Sequence, residues 1–229
     1  MKYFLATQPS QHMIKDQAPP LASYPEKEKT GMARIPGYPL NEYLIILNPH
    51  EELRLKVEKS RKELVDNHHL LQPPTGRPNI CLVRFSATPM QEEKIVQRLR
   101  LIAMEEKPFL VELKDFGSYP MHAIFICIAN QPRVLELIRN LKQARPLMKA
   151  AGEDPHFMQD PQIALAGRLS KEKYLDVMKE YLHKKFTGRF LADAFLLLKR
   201  PKQDRKFEVV RRFNFEYIRV SAAQGVLFS

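Results

Sequence analysis

Cysteine is scarce in these 229 residues: Cys81 and Cys127 are the only two, and each sits inside an apolar run. Two thiols so placed exclude a disulfide scaffold and point to a reducing compartment. Long apolar runs are missing too. The longest, around Tyr43–Leu47, Ala123–Ala129 and Ala194–Leu198, fall well short of the roughly 18 residues a membrane helix needs. At the start, Lys2 precedes only the short apolar patch Tyr3-Phe4-Leu5-Ala6, which cannot serve as the apolar region of a secretory signal. Together these absences predict a soluble, cytoplasmic protein with no membrane partner. There is no HExxH, no CxxC, no Gly-rich phosphate loop and no Gly-x-Ser-x-Gly. The enzyme classes built on those motifs have no foothold, and neither cofactor nor metal is expected.

What the chain does have is apolar mass and basic charge. At 44% apolar residues it can build a real core, as one large domain or two small lobes. The formal net charge is +11. Between Lys199 and Arg219 stand Lys199, Arg200, Lys202, Arg205, Lys206, Arg211, Arg212 and Arg219, against Asp204, Glu208 and Glu216. A strip of that kind attracts polyanions through its local field and counterion release, so RNA or a nucleotide phosphate is the partner class it suggests. A solvated surface accounts for the same residues equally well.

Residues 1–40 carry six prolines and no sustained apolar period, which predicts an extended N-terminal arm. Residues 41–229 alternate short apolar runs with amphipathic stretches. Tyr43–Leu47 is a predicted strand, and Glu51–Asp66, with Leu53, Val57 and Leu64 in register, a predicted helix. Asn79–Phe85 (strand), Gln91–Glu105 (helix) and Phe109–Leu113 (strand) complete a first half. The order recurs about 80 residues later in Met121–Ala129, Arg133–Gln143, Pro161–Ala166, Lys171–Phe186 and Phe190–Leu198, with Phe207–Phe215 as an extra strand. Pro146 is expected to stop or kink the third helix. The lobes implied are about 41–118 plus the C-terminal strand, and about 119–200.

The halves match most closely in their middle strands. Pro78-Asn79-Ile80-Cys81-Leu82 lies opposite Pro161-Gln162-Ile163-Ala164-Leu165: in each, proline, a carboxamide, isoleucine, a small residue, leucine. Strand side chains alternate, so the carboxamide and the small residue share one face while Ile and Leu share the other. Pseudo-twofold symmetry would gather Asn79, Cys81, Gln162 and Ala164 around one cleft. Taken singly, each amide is also what an ordinary half-exposed strand carries.

This repeat resembles the 2H phosphoesterase superfamily, which includes the 2′-5′ RNA ligase, or RNA 2′,3′-cyclic phosphodiesterase, family. The resemblance covers about 42–216. It implies an α+β bilobal fold with two pseudo-symmetric β-α-β-α-β lobes whose antiparallel sheets line a central cleft. It also implies a His-x-Thr/Ser pattern on each motif strand, one histidine acting as general base and the other as general acid at a phosphodiester. Here those positions are Asn79-Ile80-Cys81 and Gln162-Ile163-Ala164. A carboxamide does not titrate near neutrality and cannot exchange the proton that gives each acid or base its rate factor of about 10²–10⁴. It still donates N–H to a phosphate oxygen or a base edge. Cys81 keeps a weak donor and Ala164 none. The resemblance therefore implies a non-catalytic, monomeric member that binds a nucleotide, an RNA end or another phosphorylated ligand. Two other readings stay open: a phosphoesterase using substitute residues, such as His156, and a protein-interaction module with a relic cleft.

Among the basic residues, Arg77 precedes the first motif, Arg168 follows the second, and Arg84 lies on the first motif strand. Arg84 is in phase with Asn79 only if a bulge intervenes. Their bidentate donors make them candidate phosphate ligands, with solvated surface arginine as the alternative. The neighbours His68 and His69 cannot converge on one metal from a helix face. His156 is predicted to lie in a loop before the second motif, and His122 at the start of a strand.

Overall fold

A computed structural model describes residues 39–70, 76–120, 122–150, 152–167 and 169–218. Apart from residues 39 and 40, the predicted N-terminal arm lies outside these residues, as does Arg168. The first repeat runs β1 (Asn41–Leu47), α1 (Glu51–His68), β2 (Ile80–Ala87), α2 (Pro89–Glu105) and β3 (Phe109–Tyr119). The second runs β4 (Ala123–Ile128), α3 (Gln131–Leu141), a 3-10 turn Lys142–Met148, β5 (His156–Phe157), β6 (Ile163–Gly167), α4 (Lys171–Tyr181) and β7 (Thr187–Ala192). A final pair, β8 (Ala194–Pro201) and β9 (Glu208–Asn214), follows.

Local chemistry sets the helix ends. Thr88 and Gln91 form a capping box at α2, the Thr88 N–H donating to Gln91 Oε1 at 2.9 Å, and Pro89 occupies the first turn, where no N–H is needed. Ser170 caps α4 by accepting from the Lys173 N–H. Helix α1 ends where His69 turns left-handed (φ 49°) and donates to the Val65 carbonyl. The third helix tightens into 3-10 geometry before Pro146, which sits inside that turn. Helix α4 stops at Tyr181, five residues short of the predicted end.

The strands form two antiparallel sheets lining a central cleft, with orders β5-β2-β1-β8-β9 and β6-β4-β3-β7. Two assignments made from the pattern are corrected by the pairing. β3 pairs with β4 and β7 and belongs to the second sheet, not to the first lobe. The predicted strand Phe190–Leu198 breaks at Asp193 into β7, in the second sheet, and β8, which returns to pair with β1 in the first. The helices cross over as well: α1 packs on β6, β7 and α4, whereas α2 packs on β9, α3 and the 3-10 turn. Their apolar faces and the covered faces of both sheets merge into one buried cluster, including Ile45, Leu82, Leu99, Ile126, Leu165 and Tyr181. Burying each such side chain stabilises the fold by about 1.5–3 kcal/mol.

Candidate functional site

Both motif strands carry a β-bulge at the same place in the repeat. On β2, Cys81 pairs with Ile46 while Val83 pairs with Ile45, so Leu82 is the extra residue. On β6, Ala164 pairs with Phe125 while Ala166 pairs with Ile124, so Leu165 is extra. Each bulge resets the alternation. Leu82 and Val83, like Leu165 and Ala166, are all buried in the core, while Cys81, Arg84 and Ser86 are half-buried on the other face. The condition under which Arg84 shares a face with the first motif is thus met.

Two links join the segments that carry the motifs. From β5, which pairs with β2 at Val83 and Arg84, the Met158 N–H donates to the Leu82 carbonyl at 2.9 Å. Gln162 is four residues further along, a contour of at most about 14 Å. Arg61 on α1 closes the arrangement. Its Nε donates to the Ala164 carbonyl at 3.0 Å and its Nη1 to the Gly76 carbonyl at 2.9 Å, so one guanidinium holds the second motif and the turn leading into the first. Burial lowers the Arg61 pKa to about 10, still fully charged at neutral pH. Asp160, two residues before Gln162, accepts from Tyr119 Oη and, at 2.7 Å, from Gln131 Nε2.

The motif side chains differ in how they are engaged. Asn79 is half-buried and its Nδ2 donates to the Arg77 carbonyl at 2.9 Å. Gln162 is half-buried too, and its buried Oε1 has no hydrogen-bond partner among the described residues. Burial pushes the Cys81 thiol up to about 11, so it is no thiolate at neutral pH. Ala164 offers only backbone.

Of the arginines, Arg77 is exposed. Arg84 faces Glu42 at 3.4 Å, without hydrogen-bond alignment of its Nε, and Glu42 also accepts from Arg200 at 2.6 and 2.8 Å. His156 lies on β5 directly across from Arg84, not in a loop; burial first, then the Arg84 charge, lowers its pKa. His68 is buried, its ring nitrogens 2.8 Å from Asp176 and from Glu180, which ties α1 to α4. His69 caps the helix, so the adjacent pair diverges. The His122 carbonyl accepts from the Leu169 N–H just before β4. Among the described residues no three His, Cys, Asp or Glu side chains converge as metal ligands, and no helix is long and apolar enough to cross a membrane.

The basic strip is less bare than its sequence suggests. Lys199 pairs with Glu92, Arg200 with Glu42, Lys202 with Glu153 and Arg212 with Asp193. Four of its eight cations thus face an acid from elsewhere in the chain, which offsets much of the local field.

Arg61 and Tyr119 did not stand out as site residues in the sequence. A signal for Arg61 was present: Leu53, Val57, Arg61, Leu64 and His68 follow the helical period, so a cation occupies the buried stripe. Tyr119 closes β3 and carries no comparable mark.

No family model and no curated protein sequence matches the chain. Solved structures do. E. coli LigT complexed with 3′-AMP is 14% identical, over 77% of this chain and 98% of that one, with a TM-score of 0.58. A phosphoesterase is 16% identical over 76% and 98%, with a TM-score of 0.54. A protein of Thermus thermophilus is 14% identical over the same shares, with a TM-score of 0.54. LigT has also been crystallised with ATP and with NADP+. The fold of this chain is the bilobal α+β fold of the 2H phosphoesterases.

Proposed function

We propose that the chain is a non-catalytic 2H phosphoesterase-like protein that binds a phosphorylated nucleotide or RNA end in the cleft between its sheets. The observation that carries the reading is the matched pattern of the two motif strands, in which Asn79 and Cys81 from one half and Gln162 and Ala164 from the other alternate with buried Ile80 and Leu82, Ile163 and Leu165, and the bulge on β2 adds Arg84 to the face of Cys81. Asn79 and Gln162 donate N–H to phosphate oxygens, with Arg77, Arg84 and Arg168 as the flanking cations. LigT, whose fold this is, was crystallised with 3′-AMP, and a ligand of that chemistry suits amide and guanidinium donors.

The same residues argue against turnover. A transfer that needs a base and an acid finds two amides, a thiol held protonated and a methyl group at the four motif positions. His156 is a single imidazole and supplies one of the two roles at most. One chain contributes both motif strands, so the site needs no second copy and the protein acts as a monomer. Cys81 and Cys127 form no disulfide, which fits the cytoplasm.

Calorimetric titration with 3′-AMP and an assay with a 2′,3′-cyclic nucleotide test the reading. Binding that weakens in Gln162→Ala and Asn79→Ala, with no hydrolysis, is the expected result. Turnover that disappears in either variant overturns it and favours the substitute-residue enzyme.

A further inference from the structure

The first sheet ends in β9, which pairs with β8 on one side only. The Phe215 N–H donates to the Asp193 carbonyl at 2.8 Å, and the register continues with Asn214 opposite Ala194, Phe213 opposite Phe195 and Arg212 opposite Leu196. Opposed residues in an antiparallel pair exchange both main-chain hydrogen bonds or neither, in alternation. Phe213 and Phe215 therefore turn their N–H and C=O groups toward β8, whereas Arg212 and Asn214 turn theirs outward. None of those four outward groups has a partner among the described residues.

The other edges are not left open in this way. Lys56 donates to the Thr187 carbonyl of β7, Arg61 donates to the Ala164 carbonyl of β6, and β5 has only two residues. An open edge is a template for one more strand, which soluble proteins ordinarily cover, shorten or distort.

Beside the open groups runs a groove between β9 and α2, with a cavity of about 150 Å³. Ala103, Met104 and the buried ring of Phe213 line it. Arg211 pairs with the buried Leu197 and so lies on the α2 side of the sheet, where it lines the groove with Arg100 of α2 and a single carboxylate, Glu216. Arg100 and Arg211 are exposed, and neither makes an ion pair or hydrogen bond among the described residues. Arg212, on the opposite face, is already bound to Asp193 at 2.7 and 2.8 Å. At roughly 30 Å³ per water, the cavity has the space of a side chain and not of a nucleotide or a helix.

We infer that the open edge of β9 is a docking site for an extended acidic segment of a partner protein, which adds as one more strand to the first sheet. Its main chain takes the outward groups of Arg212 and Asn214, and its alternate side chains, carboxylates, enter the groove at Arg100 and Arg211. Donors and acceptors fixed two residues apart match a peptide backbone, and a phosphate chain carries no such ladder. A second copy entering through its own β9 would bring a like set of guanidinium groups to the seam, and like charges on facing strands are destabilising. The groove is on the α2 side of the sheet, so the docking site stands whether or not the cleft binds a nucleotide.

The test uses a fluorescein-labelled peptide of seven residues, the length of β9, in which glutamate alternates with valine or threonine. Anisotropy titrations are run on the wild-type protein and on Arg100→Ala/Arg211→Ala, with a thermal melt to confirm folding, and amide exchange is followed by NMR. The double substitution should weaken the peptide on the order of tenfold, as two lost ion pairs imply. Exchange of the Arg212 and Asn214 N–H groups should slow in the complex. The same peptide N-methylated at every amide should bind at least about tenfold more weakly. No binding by the wild type overturns the site. Equal affinity for the N-methylated peptide, or for one with lysine in place of glutamate, overturns it as well. Unchanged exchange at Arg212 and Asn214, or a double variant that binds as the wild type does, places the peptide elsewhere and has the same consequence. A wild-type dimer in sedimentation equilibrium that the peptide dissociates assigns the edge to a second copy, and an eight-nucleotide single-stranded RNA that displaces the peptide assigns it to nucleic acid. Either result overturns the acidic partner.

Discussion

Replacing Arg61 by methionine keeps the apolar stem on the buried stripe of α1 and deletes both hydrogen bonds that join the motif segments. A charge-assisted bond contributes about 1.5–3 kcal/mol when buried. The Ala164 carbonyl, on the edge of β6, has no obvious substitute donor, whereas the Gly76 carbonyl lies on an exposed turn that water can reach. The first bond therefore counts nearly in full and the second at a fraction, for a total of about 2–3 kcal/mol. For a chain of this length that corresponds to a fall in Tm of about 5–10 °C. Arg61→Lys retains the charge but not the planar fork, so it reaches one carbonyl and recovers about half the loss. Urea denaturation gives the stability, and 3′-AMP titration on the same samples gives the coupling to the cleft. Arg61→Met is expected to weaken the nucleotide because the two strands lose their common tether. A methionine variant within about 0.5 kcal/mol of wild type, the range of an inert surface change, refutes the reasoning. So does a lysine variant that behaves as wild type.

The remaining expectations concern single positions. A Cβ on Gly117 would lie 2.7 Å from Cys127 Sγ and closer still to the fully buried Phe125 ring, so Gly117→Ala should cost about 1–3 kcal/mol by overpacking, measured by thermal melts; no change in Tm would contradict the contact. With its thiol near 11, Cys81 should alkylate with iodoacetamide at pH 8 on the order of 10²-fold more slowly than a free thiol of ordinary pKa. Mass spectrometry after tryptic digestion reads the site, and rapid labelling of Cys81 counts against its burial. The His68 hydrogen bond, first among the causes, holds the Asp176 carboxyl below the usual carboxylate range. An acid with a depressed folded pKa contributes fully above its unfolded value and loses that contribution as pH falls through the folded one. The gap in urea midpoint between wild type and Asp176→Asn should therefore be constant from pH 6 to about 4 and close below it; a gap that persists at about pH 2.5 rules the linkage out.

Much of the architecture was legible along the chain because it is carried by local periods. Apart from the run over 190–198, each predicted strand and helix is present, with ends shifted by a few residues, as where the Thr88 cap starts α2 two residues early. The likeness of Pro78–Leu82 to Pro161–Leu165 was likewise visible, and with it the choice of motif residues. What the pattern missed depends on partners far away in sequence. Alternation marks β3 as a strand but not as a neighbour of β4. An apolar run over 190–198, interrupted by Asp193 alone, hides the change of sheet at that residue. The bulges at Leu82 and Leu165 appear only when the neighbouring strands fix the register. The eight cations between Lys199 and Arg219 looked like open field because the acids that meet four of them, Glu42, Glu92, Glu153 and Asp193, lie outside the strip, three of them dozens of residues away.

From its sequence alone this protein was already committed to two copies of one strand-helix unit, to an apolar core large enough for both, and to amides where a proton-transferring pair would need imidazoles. Those are properties of residue identity and short-range order. Only the tertiary structure decided which sheet each strand joins, that one guanidinium on α1 holds both motif segments, and which cations are neutralised. Contacts between segments far apart along the chain leave no period in it, and only the packed fold can select them.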